Sequence, residues 1–215
     1  MTAESVSELY DALRRDLING CYGAGEKLAI TTLKKRYGVG LSPLRETLNR
    51  LAAVGLLEQS HQRGFRVPRL TRAALDDVAT LRRQLEGEAL EQAIARGDHE
   101  WEVELVAALH RLRQHQGDFD SRSHEHWELM HARFHKALVA GCGSPWRLRF
   151  LEQLYDQFDR YRRLAPQLEQ RREQLDDQHA RLVEYALARD AQQARALLEA
   201  HIELSWTVAL QSCNE

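Results

Sequence analysis

Apolar residues recur at helical spacing along most of this chain. Val6, Leu9, Tyr10, Leu13 and Leu17 predict a helix over 5–19 that stops at Asn19 and Gly20. Gly23, Ala24 and Gly25 read as a loop, and residues 30–37 as a short second helix closed by Gly38. Leu44, Leu48, Leu51 and Val54 form the apolar stripe of a third. Its start carries Ser42 as the expected N-cap and Pro43 at the first helical position, with Glu46 near a capping-box position. The pattern then shortens. Residues 56–58 and 65–67 read as strands around a turn at Gln62, Arg63 and Gly64. Three helices followed by a hairpin is the order of a winged helix-turn-helix.

Beyond Pro68 the strand signals vanish. Helical patterns run over 71–96, 98–117, 122–140, 145–169, 171–189 and 191–211. Turn residues at 97–98, 117–118, 141–143 and 189–190 separate the first four and the last two. The chain is therefore expected to be mainly α. Residues 1–69 form a winged helix-turn-helix and residues 70–215 an all-helical bundle.

Composition narrows the class. With 43% hydrophobic and 29% charged residues, 215 residues can bury real cores, and wholesale disorder is excluded. The overall charge of −2 hides an asymmetry of +4 over residues 1–70 against −6 over the rest. A basic module on an acidic body suits a polyanionic partner at one end. Cys21, Cys142 and Cys213 are odd in number and widely spaced, which argues against a disulfide framework. The first residues show neither the basic nor the apolar region of a signal peptide, and no run reaches the length of a membrane span. A cytoplasmic protein with no membrane contact is the expectation.

In a helix-turn-helix the second helix enters the major groove with its N-terminal residues at base edges and phosphates. Ser42, Pro43 and Arg45 occupy that end, Arg45 as a ligand for guanine or phosphate. Lys34, Lys35 and Arg36 suit backbone phosphates, although such a run also reads as a solvated face. Arg63 and Gly64 form the wing tip, where a small residue lets backbone approach DNA.

The second half carries a different chemistry. His131 and His135 lie four residues apart on the face of Trp127, Phe134 and Leu138. His179 keeps company with Leu182, Val183 and Ala186, and His201 with Leu197, Leu198 and Ser205. Four inward histidines form a candidate site for a divalent metal such as zinc or nickel. Each alone also reads as a hydrogen-bonded core residue. Arg82 and Glu86 lie within the apolar face of the first bundle helix and are a ready ion pair. Arg162 shares the face of Leu151, Leu154 and Phe158, whereas Arg160 points away. A buried guanidinium needs an anion. Arg162 has no evident local partner, so a ligand carboxylate and an acidic residue on another helix are both open.

Two resemblances cover most of the chain. Residues 24–28 (Ala-Gly-Glu-Lys-Leu), 38–48 (Gly-Val-Gly-Leu-Ser-Pro-Leu-Arg-Glu-Thr-Leu), 54–56 (Val-Gly-Leu) and 63–67 (Arg-Gly-Phe-Arg-Val) resemble the N-terminal signature of the GntR regulators. Gly40 and Leu41 depart from the usual Ser and Arg, and Thr31 stands near a frequent DNA-contacting Arg. The family's common operator therefore does not carry over. Residues 131–138 (His-Ala-Arg-Phe-His-Lys-Ala-Leu), Gln178, His179, Leu182, Tyr185, Ala186, Asp190, Ala194, Leu198 and His201 resemble the FCD effector domain of the FadR branch. That likeness implies metal-binding roles for His135, His179 and His201, with His131 at a position usually held by Asp or Asn. An all-histidine shell and a three-histidine site with His131 swung away are both compatible. Arg82 matches the domain's first-helix pattern. Residues 38–46 and 134–144 are similar to the carbon-starvation-induced regulators.

The resemblance implies a homodimeric repressor of double-stranded operator DNA, released by a small carboxylate such as glutarate bound at the metal with Arg82 and Arg162. A regulator for which the metal itself is the signal is the alternative. A di-iron-type bundle enzyme is a weaker one, since Glu128-x-x-His131 and Asp176-x-x-His179 supply few carboxylates. No catalytic residue is expected. There is no Gly-rich phosphate loop, and Cys142 and Ser144 have no base at a telling spacing.

Overall fold

A computed structural model describes residues 3–60, 64–114, 121–165 and 168–213. Arg63 and Gln62 of the expected wing tip lie outside the described residues. Among the described residues no helix is long and apolar enough to cross a membrane. The chain divides into two compact units. One comprises residues 1–75, 156–166 and 209–215, the other 76–155 and 167–208. The expected single cut at 69/70 thus omits two later segments that group with the first unit.

In the first unit, α1 (Ala3–Ile18), α2 (Ile30–Tyr37) and α3 (Leu41–Ala53) pack leucines together. Leu13, Leu33, Leu44, Leu48 and Leu51 are almost wholly buried. Strands β1 (Lys27–Leu28), β2 (Glu58–Ser60) and β3 (Gly64–Arg66) form an antiparallel sheet in the order β1-β3-β2. Phe65 of β3 lies opposite both Leu28 and Gln59 and closes the core. The sequence pattern shows β2 and β3 but not β1. Two residues are too short for any period, and β1 exists only because β3 offers it an edge.

The turn between α2 and α3 depends on one backbone conformation. Gly38 adopts φ 64°, ψ 30°, the left-handed region that glycine enters without a Cβ penalty, and its N–H bonds the Lys34 carbonyl. The N-cap of α3 is Gly40, with no side-chain cap, so Ser42 and Pro43 lie inside the first turn rather than at N-cap and N1. Proline is accepted there because the first four N–H groups of a helix have no intrahelical partner.

Arg36, expected on DNA phosphates, ties α2 to α1 instead. Its Nη2 donates to Asp16 Oδ2 at 2.8 Å, and Tyr37 donates to the same oxygen at 2.6 Å. The guanidinium also lies 5.3 Å from the Tyr22 ring centre and 5.7 Å from that of Tyr37. Asp16 is twenty residues away, too far for helical spacing to reveal the pair.

The end of α7 (Pro145–Arg162) belongs to this unit. Arg14 forms an ion pair with Asp156, Gln157 donates to the Val54 carbonyl at 3.0 Å and Arg163 to Asn19 Oδ1 at 2.7 Å. Arg160, expected to point away, is buried and donates to the Pro68 carbonyl at 2.8 Å. The helix expected to run to 169 stops at Arg162, and α8 begins at Leu168, three residues earlier than expected.

The second unit is helical. It contains most of α4 (Arg72–Arg96), α5 (His99–Arg113), α6 (Ser121–Val139), the start of α7, α8 (Leu168–Leu187) and most of α9 (Ala191–Ala209). Trp127, Phe134, Leu138, Leu151, Leu182 and Leu198 fill its core without solvent exposure. Asp98 caps α5 by accepting from the Trp101 N–H at 2.9 Å. Arg189, at φ 59°, donates to the carbonyls of Ile94 and Gly97 and so satisfies the end of α4.

Gly38→Ala is expected to lower unfolding free energy by about 1 kcal/mol, the cost of left-handed geometry with a Cβ. No atom lies within 4 Å of such a Cβ, so a larger loss in urea denaturation would contradict a purely conformational cause.

Candidate functional site

The site of the second unit is built on helices that the core orients. On α6, a spacing of four places His131 and His135 on the face that Trp127, Phe134 and Leu138 bury. Leu182, Val183 and Ala186 turn the same face of α8 inward and carry His179 with them. Leu198, Ile202 and Ser205 do so for His201 on α9. All four imidazoles are buried.

They converge. Ring centres lie 4.6 Å apart for His131 and His135, 5.0 Å for His131 and His179, and 4.7 Å for His179 and His201. One nitrogen from each ring lies within 4.8 Å of one from every other. The four histidines expected from sequence are therefore brought together, and His131 is not swung away. Trp127 stacks on His131 at 4.8 Å and 18°, which holds that ring among the others.

Two rings are oriented from behind. His135 Nδ1 lies 3.0 Å from Glu86 Oε1, and His201 Nδ1 lies 3.0 Å from Gln178 Oε1. Both partners are acceptors, so each Nδ1 donates to the group behind it and each ring turns its Nε2 away from that partner. His135 Nε2 is buried and has no hydrogen-bond partner. A buried lone pair on a carboxylate-anchored imidazole is what a metal ligand requires. The donor set fits a borderline divalent ion such as zinc or nickel. Among the described residues the potential ligand group consists of these four histidines. Glu128 and Asp176 are not part of that group, although Asp176 Oδ1 lies 3.7 Å from His179 Nδ1.

Glu86 connects the cage to a charge. Its Oε2 accepts from Arg82 Nε at 3.1 Å and Nη2 at 2.8 Å, while Oε1 faces His135. Burial pushes this carboxyl upward, but the Arg82 guanidinium and the His135 hydrogen bond outweigh it and bring it down to about 2. It is ionised at neutral pH. Tyr155 of α7 completes the group. Its ring lies 5.0 Å from the Arg82 guanidinium and 6.1 Å from His135. Burial and the Glu86 charge push its hydroxyl well above the ordinary range, so it remains a donor. That hydroxyl is buried beside Glu86, whose charge and hydrogen-bonding both favour its protonated form.

The pairing of Arg82 with Glu86 is as expected from their spacing. The Glu86–His135 link, Gln178 and Tyr155 were missed. The signal for Glu86 was its place on an apolar face and that for Gln178 its place in the motif beside His179, while none pointed to Tyr155. Arg162 requires correction. It is buried and has a local partner, donating from Nε and Nη2 to Asp159 Oδ1 at 3.1 and 3.0 Å. It falls in the first unit, whereas the histidines and Arg82 fall in the second. Asp159, at i−3, lies on the same helix face.

In the first unit, Lys34, Lys35, Ser42 and Arg45 are exposed around the α2–α3 turn, and Pro43 is half-buried. Gly64 opens β3 with φ 118°.

Comparison with known proteins agrees with both halves. Residues 5–67 match the model of the bacterial regulatory proteins of the gntR family, and residues 77–204 match the FCD domain. The chain is 38% identical over 213 residues to the uncharacterized HTH-type transcriptional regulator BphR of Paraburkholderia xenovorans, covering 96% of this chain and 85% of that one. It is 36% identical to the HTH-type transcriptional repressor GlaR of Escherichia coli, covering 90% of each. The fold is that of E. coli McbR/YncC, with a TM-score of 0.84 at 24% identity over the whole of both chains. The families and relatives it matches are regulators rather than enzymes. This chain belongs to the GntR family with an FCD domain and is a DNA-binding transcriptional regulator.

Proposed function

We propose that this regulator is a homodimeric repressor whose C-terminal cage holds one divalent metal ion, zinc or nickel, and answers to a small carboxylate. The carrying observation is the convergence of four buried histidines on one point, with His135 anchored by Glu86 and its Nε2 unused. Four neutral imidazoles leave the charge of a divalent ion uncompensated, and Glu86 is already matched by Arg82. The site therefore favours an added anion. Arg82, whose charge Glu86 balances, offers guanidinium N–H donors rather than net charge, and the Tyr155 hydroxyl offers a hydrogen bond to a carboxylate oxygen. A metal bound there supplies Lewis-acid attraction for that anion. The named repressor GlaR supports the sign of regulation. A glutarate-like dicarboxylate remains the proposed effector on the likeness noted from sequence. In the first unit, Lys34, Lys35, Ser42, Pro43, Arg45 and the wing residues Arg63 and Gly64 are the proposed DNA contacts.

One observation favours a second reading. Four protein nitrogens would suffice to close the four-ligand shell typical of structural metal sites. In that case the metal itself is the signal.

Melting temperature separates the two. Metal-loaded protein is expected to be stabilised by one acid of a dicarboxylate panel and to lose that response after chelation, because a ligand of the native state stabilises by mass action. Stabilisation by metal with no response to any acid would select the second reading. Normal metal binding by a folded His135→Ala, His179→Ala double variant would refute both. Glu86→Gln is expected to weaken metal affinity by about 10- to 100-fold in chelator competition. Tyr155→Phe should leave metal affinity intact and weaken the acid by about tenfold, the worth of one hydrogen bond.

Arg36 and Lys35 should behave oppositely. Lys35→Ala is expected to reduce the salt slope of operator binding by about one, as loss of a phosphate contact does. Arg36→Ala should lower melting temperature and leave that slope unchanged, since its partner is Asp16.

A further inference from the structure

Leu41 stands apart in the N-terminal unit. It is 47% exposed, while Leu44, Leu48 and Leu51 of the same helix are completely buried. Among the described residues of 3–75 it is the only large hydrophobic side chain so exposed. It contributes nothing to the core and occupies the first helical position of α3, directly after the Gly40 N-cap. Arg45, four residues on and also exposed, shares its face.

That face has a defined counterpart. The second helix of a helix-turn-helix presents its N-terminal residues to base edges in the major groove. The apolar feature of that groove is the 5-methyl group of thymine, and aliphatic side chains are its readers. A leucine there satisfies no donor or acceptor of a base or phosphate, so its contact carries sequence information through shape and dehydration alone.

We infer that Leu41 is a specificity-determining residue that reads a thymine methyl group, beside the polar contact made by Arg45. The inference rests on α3 being the reading helix. It implies that the preferred operator carries a thymine at one position where uracil, which lacks only the methyl, is disfavoured. Burying one methyl corresponds to about fourfold in affinity.

The test uses the full-length protein and a duplex operator selected with it from a random library. Thymines are replaced singly by uracil, and affinity is measured at one salt concentration for the wild type, Leu41→Ser and Arg45→Ala. A uracil penalty of about fourfold at one thymine, absent in Leu41→Ser, is the expected result. Serine is well accepted in a first helical turn, and an unchanged helical spectrum with retained non-specific DNA binding checks the fold of that variant. A wild type indifferent to every uracil overturns the inference, as does a penalty that survives in Leu41→Ser. Arg45→Ala distinguishes the two levels. If it weakens selective binding while uracil has no effect, α3 reads DNA and Leu41 does not. If it too has no effect, α3 is not the reading helix.

Discussion

A carboxylate removed from water organises the C-terminal domain. Glu86 is fully buried, and it stays ionised because Arg82 takes one of its oxygens and His135 the other. A buried ion pair of this kind is seldom retained for stability. Apolar residues of similar volume often do as well, whereas removing one partner leaves an uncompensated charge. Its physical consequence is orientation. With Nδ1 of His135 held by the carboxylate, the ring presents Nε2, and the neighbouring histidines from α8 and α9 meet it at a fixed place. Trp127 behind His131 and Gln178 behind His201 act in the same sense. The cage is held by what stands behind it.

The N-terminal domain depends on a different constraint, the angle between two short helices. An eight-residue helix such as α2 has little stability of its own, and its place is imposed by tertiary contacts. Leu33 anchors its apolar side, Arg36 and Tyr37 bind Asp16 of α1, and Gly38 turns the chain left-handed into α3. The basic run at 34–36 is thus divided. All three are exposed, but the arginine also ties the element to Asp16 of α1. The outer end of α3 is left to Leu41, Ser42 and Arg45, side chains that give the core nothing and are available for DNA.

Much of this was legible in the chain. Period-3.6 leucine stripes located α1, α2, α3 and the bundle helices, because burial of one face leaves its mark on every turn. The histidines could be read as inward-facing from their apolar neighbours, since a helix cannot bury those without burying what lies between them. The motifs at 38–48 and 131–138 then pointed to the family. Regularity ended where local rules stop. Two-residue β1 has no period, and the start of α3 shifted by two residues because glycine capped it.

Sequence by itself determined the two modules, the helical faces and which residue types each face carries, since these depend on spacing along one element. Tertiary structure alone decided how side chains distant in sequence were paired. Glu86 meets His135 across 49 residues, and Arg36 meets Asp16 across 20. Arg162 pairs with Asp159 three residues before it on the same helix. Hydrophobic spacing records which way a side chain points. It holds no record of what stands opposite, and the chemistry of a buried charge is set by that neighbour.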